Sequence, residues 1–100
     1  MFKVISKHQR SDVNVPFFKR GEQLTTSATT AKIDGKLISE EIFLSPDRLT
    51  TTYVAVWDSI ESYDAFNSTA EAIAYVQERD AYNDANGITL MLKKAETISA

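Results

Sequence analysis

His8 is the only histidine in the sequence, and it is the one side chain whose ordinary pKa lets it exchange protons at neutral pH. It is therefore the candidate catalytic residue, as a general base or as a donor into a pocket. No partner stands at a recognisable spacing from it, so a strand-end histidine that hydrogen-bonds locally is the competing reading. The chain has no cysteine, which removes disulfides, thiolate metal sites, iron–sulfur clusters and cysteine nucleophiles. A three-histidine metal site from one chain is excluded as well, and zinc would need carboxylates or a second subunit. The expectation is no metal and no cofactor.

Trp57 offers a large flat face and one N–H donor, which suits an aromatic ligand held in a cleft. It equally suits a core plug at a strand-to-helix corner. Tyr53, on the same strand face, reads the same way, and Phe66 on the helix beyond completes the candidate ligand-binding set. Phe17, Phe18, Tyr63, Tyr75 and Tyr82 fall in segments of helical pattern, where such spacing means core or dimer contact. Glu40 and Glu41 are neighbours on a strand, so they point to opposite faces and cannot work as a carboxylate pair; they read as solvent or rim charges. There is no Gly-x-Ser-x-Gly elbow, no Walker A loop and no Gly-x-Gly-x-x-Gly fingerprint, which disfavours acyl-transfer and nucleotide enzymes.

The elements that position these residues follow from two periodicities. Phe2 to His8 alternates as a strand, with Phe2, Val4, Ser6 and His8 on one face and Lys3, Ile5 and Lys7 on the other. Asn14 then suits a helix N-cap with Pro16 in the first turn. Phe17, Gly21, Leu24, Ala28 and Ala31 stack at helical spacing, although the many threonines here would also suit a strand. Asp34-Gly35 is the stop. Leu37–Leu44 and Leu49–Trp57 form a hairpin around Ser45-Pro46-Asp47-Arg48. Asp58 or Ser59 caps a short helix carrying Ile60, Tyr63 and Phe66, and Ser68-Thr69-Ala70-Glu71 has capping-box spacing for a second helical segment. Asn86-Gly87 ends that segment before a last strand from Ile88 to about Ala95. Its expected faces are Ile88, Leu90 and Leu92 against Thr89, Met91 and Lys93.

Strand, helix, hairpin, broken helix, strand is the βαββαβ order of an α+β ferredoxin-like plait with an antiparallel sheet. One hundred residues make one domain, expected to span residues 1–100. A chain this short buries only about two-thirds of its unfolded surface, so burial against a partner would help it. Tyr53-Val54-Ala55-Val56-Trp57 is apolar on both faces, while helices cover only one side of such a sheet. A homodimer whose sheets cover one another is therefore expected. The net charge of −3 and the absence of a basic face argue against nucleic acid. No apolar run approaches a membrane span and the N-terminus starts a strand pattern, so a cytoplasmic location without membrane contact is expected.

The order of elements, together with Val54-Ala55-Val56-Trp57-Asp58-Ser59-Ile60-Glu61-Ser62-Tyr63, resembles the dimeric α/β-barrel proteins, including the antibiotic-biosynthesis-monooxygenase-like group. That resemblance covers nearly the whole chain. It implies a homodimer and a range of activities: cofactor-independent monooxygenases, haem-degrading enzymes, and small-molecule decarboxylases or isomerases. Where haem-degrading members place an axial histidine, this chain has Phe66 and Asn67, so haem is not expected. For the cofactor-independent oxygenases, the resemblance carries over Trp57 as a wall or donor of the pocket.

Two functions follow. One is a homodimeric barrel that binds, or transforms without metal or haem, a small apolar or aromatic molecule. The other is a non-catalytic dimerisation or binding module with a filled interior. A cavity of roughly 300 Å³ or more with converging polar groups separates the first from the second.

Overall fold

The computed structural model describes residues 1–98. Strand β1 (Phe2–Gln9) is followed by helix α1 (Glu22–Ile33), the hairpin β2 (Leu37–Leu44) and β3 (Thr50–Trp57), helices α2 (Ile60–Asn67) and α3 (Ala70–Asn86), and strand β4 (Thr89–Thr97). The four strands form one antiparallel sheet in the order β2-β3-β1-β4. The two halves of the chain thus interleave at the central pair β1 and β3, which is the expected plait.

The expected helix after Asn14 begins later, at Glu22, with Gly21 as its N-cap. Residues 11–21 form a loop, so Phe17, Phe18 and Gly21 are not part of a helical stripe. Local and tertiary bonds outcompete the helix here. Asp12 accepts the Asn14 amide at 2.8 Å, the Tyr82 hydroxyl donates to the Pro16 carbonyl, and Phe18 stacks against Tyr75 and Tyr82. Leu24, Ala28 and Ala31 do form the buried stripe of α1. The threonine-rich stretch stays helical because its hydroxyls bond back one turn: Thr25 Oγ1 to the Gly21 carbonyl and Thr29 Oγ1 to that of Thr25, both at 3.0 Å.

Ser59 caps α2, accepting from the Ser62 amide at 3.2 Å. The cap of α3 is Thr69, one residue later than the capping-box spacing from Ser68 suggests. Gly87 closes α3 in the left-handed conformation with φ 66°, which costs a glycine nothing.

Strand β4 departs from simple alternation. His8 pairs with Leu90 and Lys7 with Leu92, leaving Met91 as an extra residue in a β-bulge. The bulge flips the parity, so Leu90 and Lys93 share the helix-facing side and Leu92 turns to the other. The expected Ile88/Leu90/Leu92 face therefore does not exist. A second irregularity at Ile38 in β2 puts Leu37 and Glu40 on one face.

The core lies at one end of the sheet, where β1 begins and β3 ends. Phe2, Val4, Ala28, Ala31, Leu37, Ala55 and Trp57 form a buried cluster, with Tyr53, Tyr63 and Phe66 packed on it. The rings of Phe2 and Tyr63 are 5.1 Å apart, as are those of Trp57 and Phe66. On the sheet face away from the helices, Ile5, Val54 and Val56 are half-buried while Phe43 and Leu92 are exposed, interspersed with lysines and threonines.

Candidate functional site

Large side chains fill only one half of the helix-facing side of the sheet. The other half carries Ser6, His8 and Thr51 beside Ile42, Leu44 and Leu90, and those three large apolar side chains stay exposed. Helix α3 is held chiefly by α1 and α2 rather than by the sheet. The gap between α3 and the strands is a cavity of about 990 Å³, open to solvent along one side. Its wall is mainly apolar, and the loop of residues 11–21 lies along it with Pro16, Phe17, Phe18 and Arg20. Arg10 anchors that loop. Its guanidinium is buried, donates to the Arg48 and Val15 carbonyls at 2.7–3.0 Å, and sits 4.3 Å from the centre of the Phe17 ring.

His8, Tyr53, Trp57 and Phe66 all line this one cavity, so the fold brings the four candidate site residues to one space. They are not equivalent. Trp57 is only 4% exposed and belongs to the core cluster, so it is both plug and wall. Burial lowers the His8 pKa, the field of Arg79 lowers it further, and Asp80 opposes them. The imidazole is thus neutral at neutral pH and able to accept a proton.

Glu40 overturns its sequence reading as a rim charge. Its side chain is 9% exposed and holds three donors at once. Arg20 Nη1 reaches Oε1 at 2.5 Å, Lys32 Nζ reaches Oε2 at 2.8 Å, and the Tyr53 hydroxyl donates to Oε1 at 2.6 Å. Burial alone would raise the Glu40 pKa, but bonds from Arg20, Lys32 and Tyr53 outweigh it and hold the carboxyl down to about 2. Burial, and then the bond to the Glu40 carboxylate, push the Tyr53 phenol well above its ordinary range, so Tyr53 remains a hydrogen-bond donor rather than a phenolate. The signal for Glu40 was present in the sequence: it stands in alternation with Ile42 and Leu44, a charge on an otherwise apolar strand face. Its cationic partners, Arg20 in the loop and Lys32 on α1, carry no such signal. Among the described residues no three His, Asp or Glu side chains converge to hold a metal ion.

This network has a consequence in acid. Its folded pKa lies below the unfolded one, so Glu40 stabilises the fold fully above about pH 4.5 and loses that contribution as pH falls from there toward 2. On the order of 2 kcal/mol, allowing for solvent screening at its partners, is expected to vanish across this window. Urea unfolding at pH 7, 4.5 and 3 checks it. A Glu40→Gln variant should show a shallower fall.

No protein-family model matches the sequence, and no curated protein does. Solved structures do match in shape. One is a candidate antibiotic biosynthesis monooxygenase from Deinococcus radiodurans, with TM-score 0.69 and 8% identity over 100% of this chain and 94% of that one. Another is an antibiotic biosynthesis monooxygenase, with TM-score 0.58 and 11% identity over 100% and 98%. A third is SnoaB, a cofactor-independent oxygenase from Streptomyces nogalater, with TM-score 0.60 and 9% identity over 99% and 91%. The overlaps run over 99–100% of this chain at only 8–11% identity. The chain therefore has the ferredoxin-like fold seen in solved structures of antibiotic-biosynthesis-monooxygenase-like proteins.

Proposed function

We propose that the chain is a single-domain homodimeric α/β-barrel protein that binds, or transforms without metal or haem, a small apolar or aromatic molecule between sheet and helices. The observation that carries this reading is the cavity of about 990 Å³, apolar over most of its wall with a few converging polar groups. A dimerisation module with a filled interior would need side chains where that space lies. Trp57, Phe66 and Tyr53 supply flat surface, and neutral His8 supplies a proton acceptor on the same wall. The cofactor-independent oxygenase activity named for one structural neighbour is compatible with a site that holds an apolar molecule beside one general base.

The test is calorimetric titration with 2-naphthol, an uncharged bicyclic aromatic. Saturable 1:1 binding per chain is expected, weakened roughly tenfold or more in Ser6→Leu, whose larger side chain enters the cavity. No binding up to millimolar concentration would overturn the reading. The dimer is tested separately. The face bearing Ile5, Val54 and Val56 is the surface offered to a second copy, so light scattering should give about twice the 11.2 kDa chain mass. Val54→Lys with Val56→Lys should yield monomer or unfolded chain. A native monomer at high concentration would sink the dimer.

A further inference from the structure

The chain is acidic overall, with 14 carboxylates against 11 cations, yet its cavity is cationic. Arg10, Lys19, Arg20, Lys32, Arg79 and Lys93 reach the wall, and Glu40 is the only carboxylate among the lining residues. An acidic protein does not place six cations around one apolar space without raising its potential, and low-dielectric walls strengthen the effect.

The one carboxylate sits at one end only. At the β2 and α1 end, Glu40 is shared by Arg20 and Lys32 and offsets one of their two charges. Arg10 is committed to backbone carbonyls and the Phe17 ring. At the β1, β4 and α3 end, Lys93 has no ion-pair or hydrogen-bond partner among the described residues, and the β4 bulge is what turns it to this side, opposite Ser6 in register. Arg79 lines the same end and pairs only with Asp80, its exposed sequence neighbour. His8 and Ser6 complete a set of neutral and cationic groups with no carboxylate on the cavity wall around them.

Building on the ligand-binding reading above, we propose that the cavity takes an aromatic acid, a fused or linked ring system bearing a carboxylate. The rings lie toward Trp57 and Phe66, and the carboxylate lies between Lys93, Arg79 and the Ser6 and His8 side chains. A carboxylate there gains charge-assisted hydrogen bonds and supplies the counter-charge that Lys93 lacks among the described residues, in competition with Asp80 at Arg79. A neutral isostere gains only the apolar contact.

Calorimetry with 2-naphthoate and 2-naphthamide, equal in shape and different in charge, separates the two at pH 7.5 and low salt. Naphthoate is expected to bind at least roughly tenfold more tightly, the worth of one charged hydrogen bond. Lys93→Gln combined with Arg79→Gln should bring the two probes to within about threefold by weakening naphthoate alone, because a glutamine offers no charge to the anion. Lys3→Gln combined with Lys7→Gln, on the opposite sheet face, removes the same net charge and should leave the preference intact. Equal or tighter binding of naphthamide overturns the anionic site and leaves the cavity reading standing. Loss of the preference in the Lys3/Lys7 control overturns the placement at Lys93 and Arg79. If neither probe nor 2-naphthol binds, the cavity reading itself fails and the proposal falls with it.

Discussion

Trp57→Ala is expected to destabilise the fold by about 3–5 kcal/mol, the range for emptying a buried aromatic site. That is a large share of the ~5–15 kcal/mol that holds a small domain together. Trp57 ends β3, pairs across the sheet with Phe2 on one side and Leu37 on the other, and meets Phe66 and Tyr63 of α2 at ring distances of 5.1 and 6.0 Å. It thus joins three strands and a helix at one corner. Collapse around an alanine is incomplete because its neighbours Phe2, Leu37 and Ala55 are themselves held by the strand register. Urea denaturation at fixed protein concentration measures the loss, since self-association would make the midpoint concentration-dependent. Trp57→Phe, which keeps a ring in place, should cost less than half as much. A loss below 1 kcal/mol for the alanine variant would mean that Trp57 is a cavity wall only, with no share in the core.

Glu40→Ala is expected to cost about 3 kcal/mol, the lower end of the range for removing one partner from a buried ion pair. The lower end applies because Arg20 and Lys32 keep partial contact with water, with side chains 28% and 46% exposed. The substitution leaves two cations facing a mainly apolar space and deprives the Tyr53 hydroxyl of its acceptor. Arg20 also ties residues 11–21 to the sheet, so proteolysis within this loop should accelerate in the variant. Replacing the network as a unit, Arg20→Met, Lys32→Met and Glu40→Leu, should recover most of the stability, since uncompensated charge rather than a missing bond is the main cost. If the single variant unfolds at the wild-type urea concentration, the network contributes nothing to the fold.

Strand and helix order was legible in the sequence because it rests on short-range alternation and stop signals. Phe2, Val4, Ser6 and His8 share a face because side chains on a strand alternate, and Asp34-Gly35 and Asn86-Gly87 stop helices because glycine enters the left-handed region freely. Tyr53 and Trp57 share a strand face by the same alternation and Phe66 lies on the helix that follows, but that His8 lines the same space depends on the pairing of β1 with β3.

Three features lay beyond local pattern. Residues 11–21 form a loop although their spacing suits a helix, because Phe18, Pro16 and Arg20 find partners on α3 and β2, far away in sequence. The parity of β4 depends on a bulge opposite Lys7 and His8, and a single extra residue moves Lys93 into the cavity and Leu92 out of it. Glu40 changes from a rim charge to the centre of a buried network only once the loop and α1 bring Arg20 and Lys32 to it. By itself, then, the sequence determined the order of elements, the faces of β1 and β3 and the aromatic corner, all set by interactions within a few residues along the chain. The tertiary structure alone decided that the helices stand off from half the sheet, leaving a cavity, and which charges face it. Those outcomes depend on contacts between segments tens of residues apart, and alternation along one strand carries no information about them.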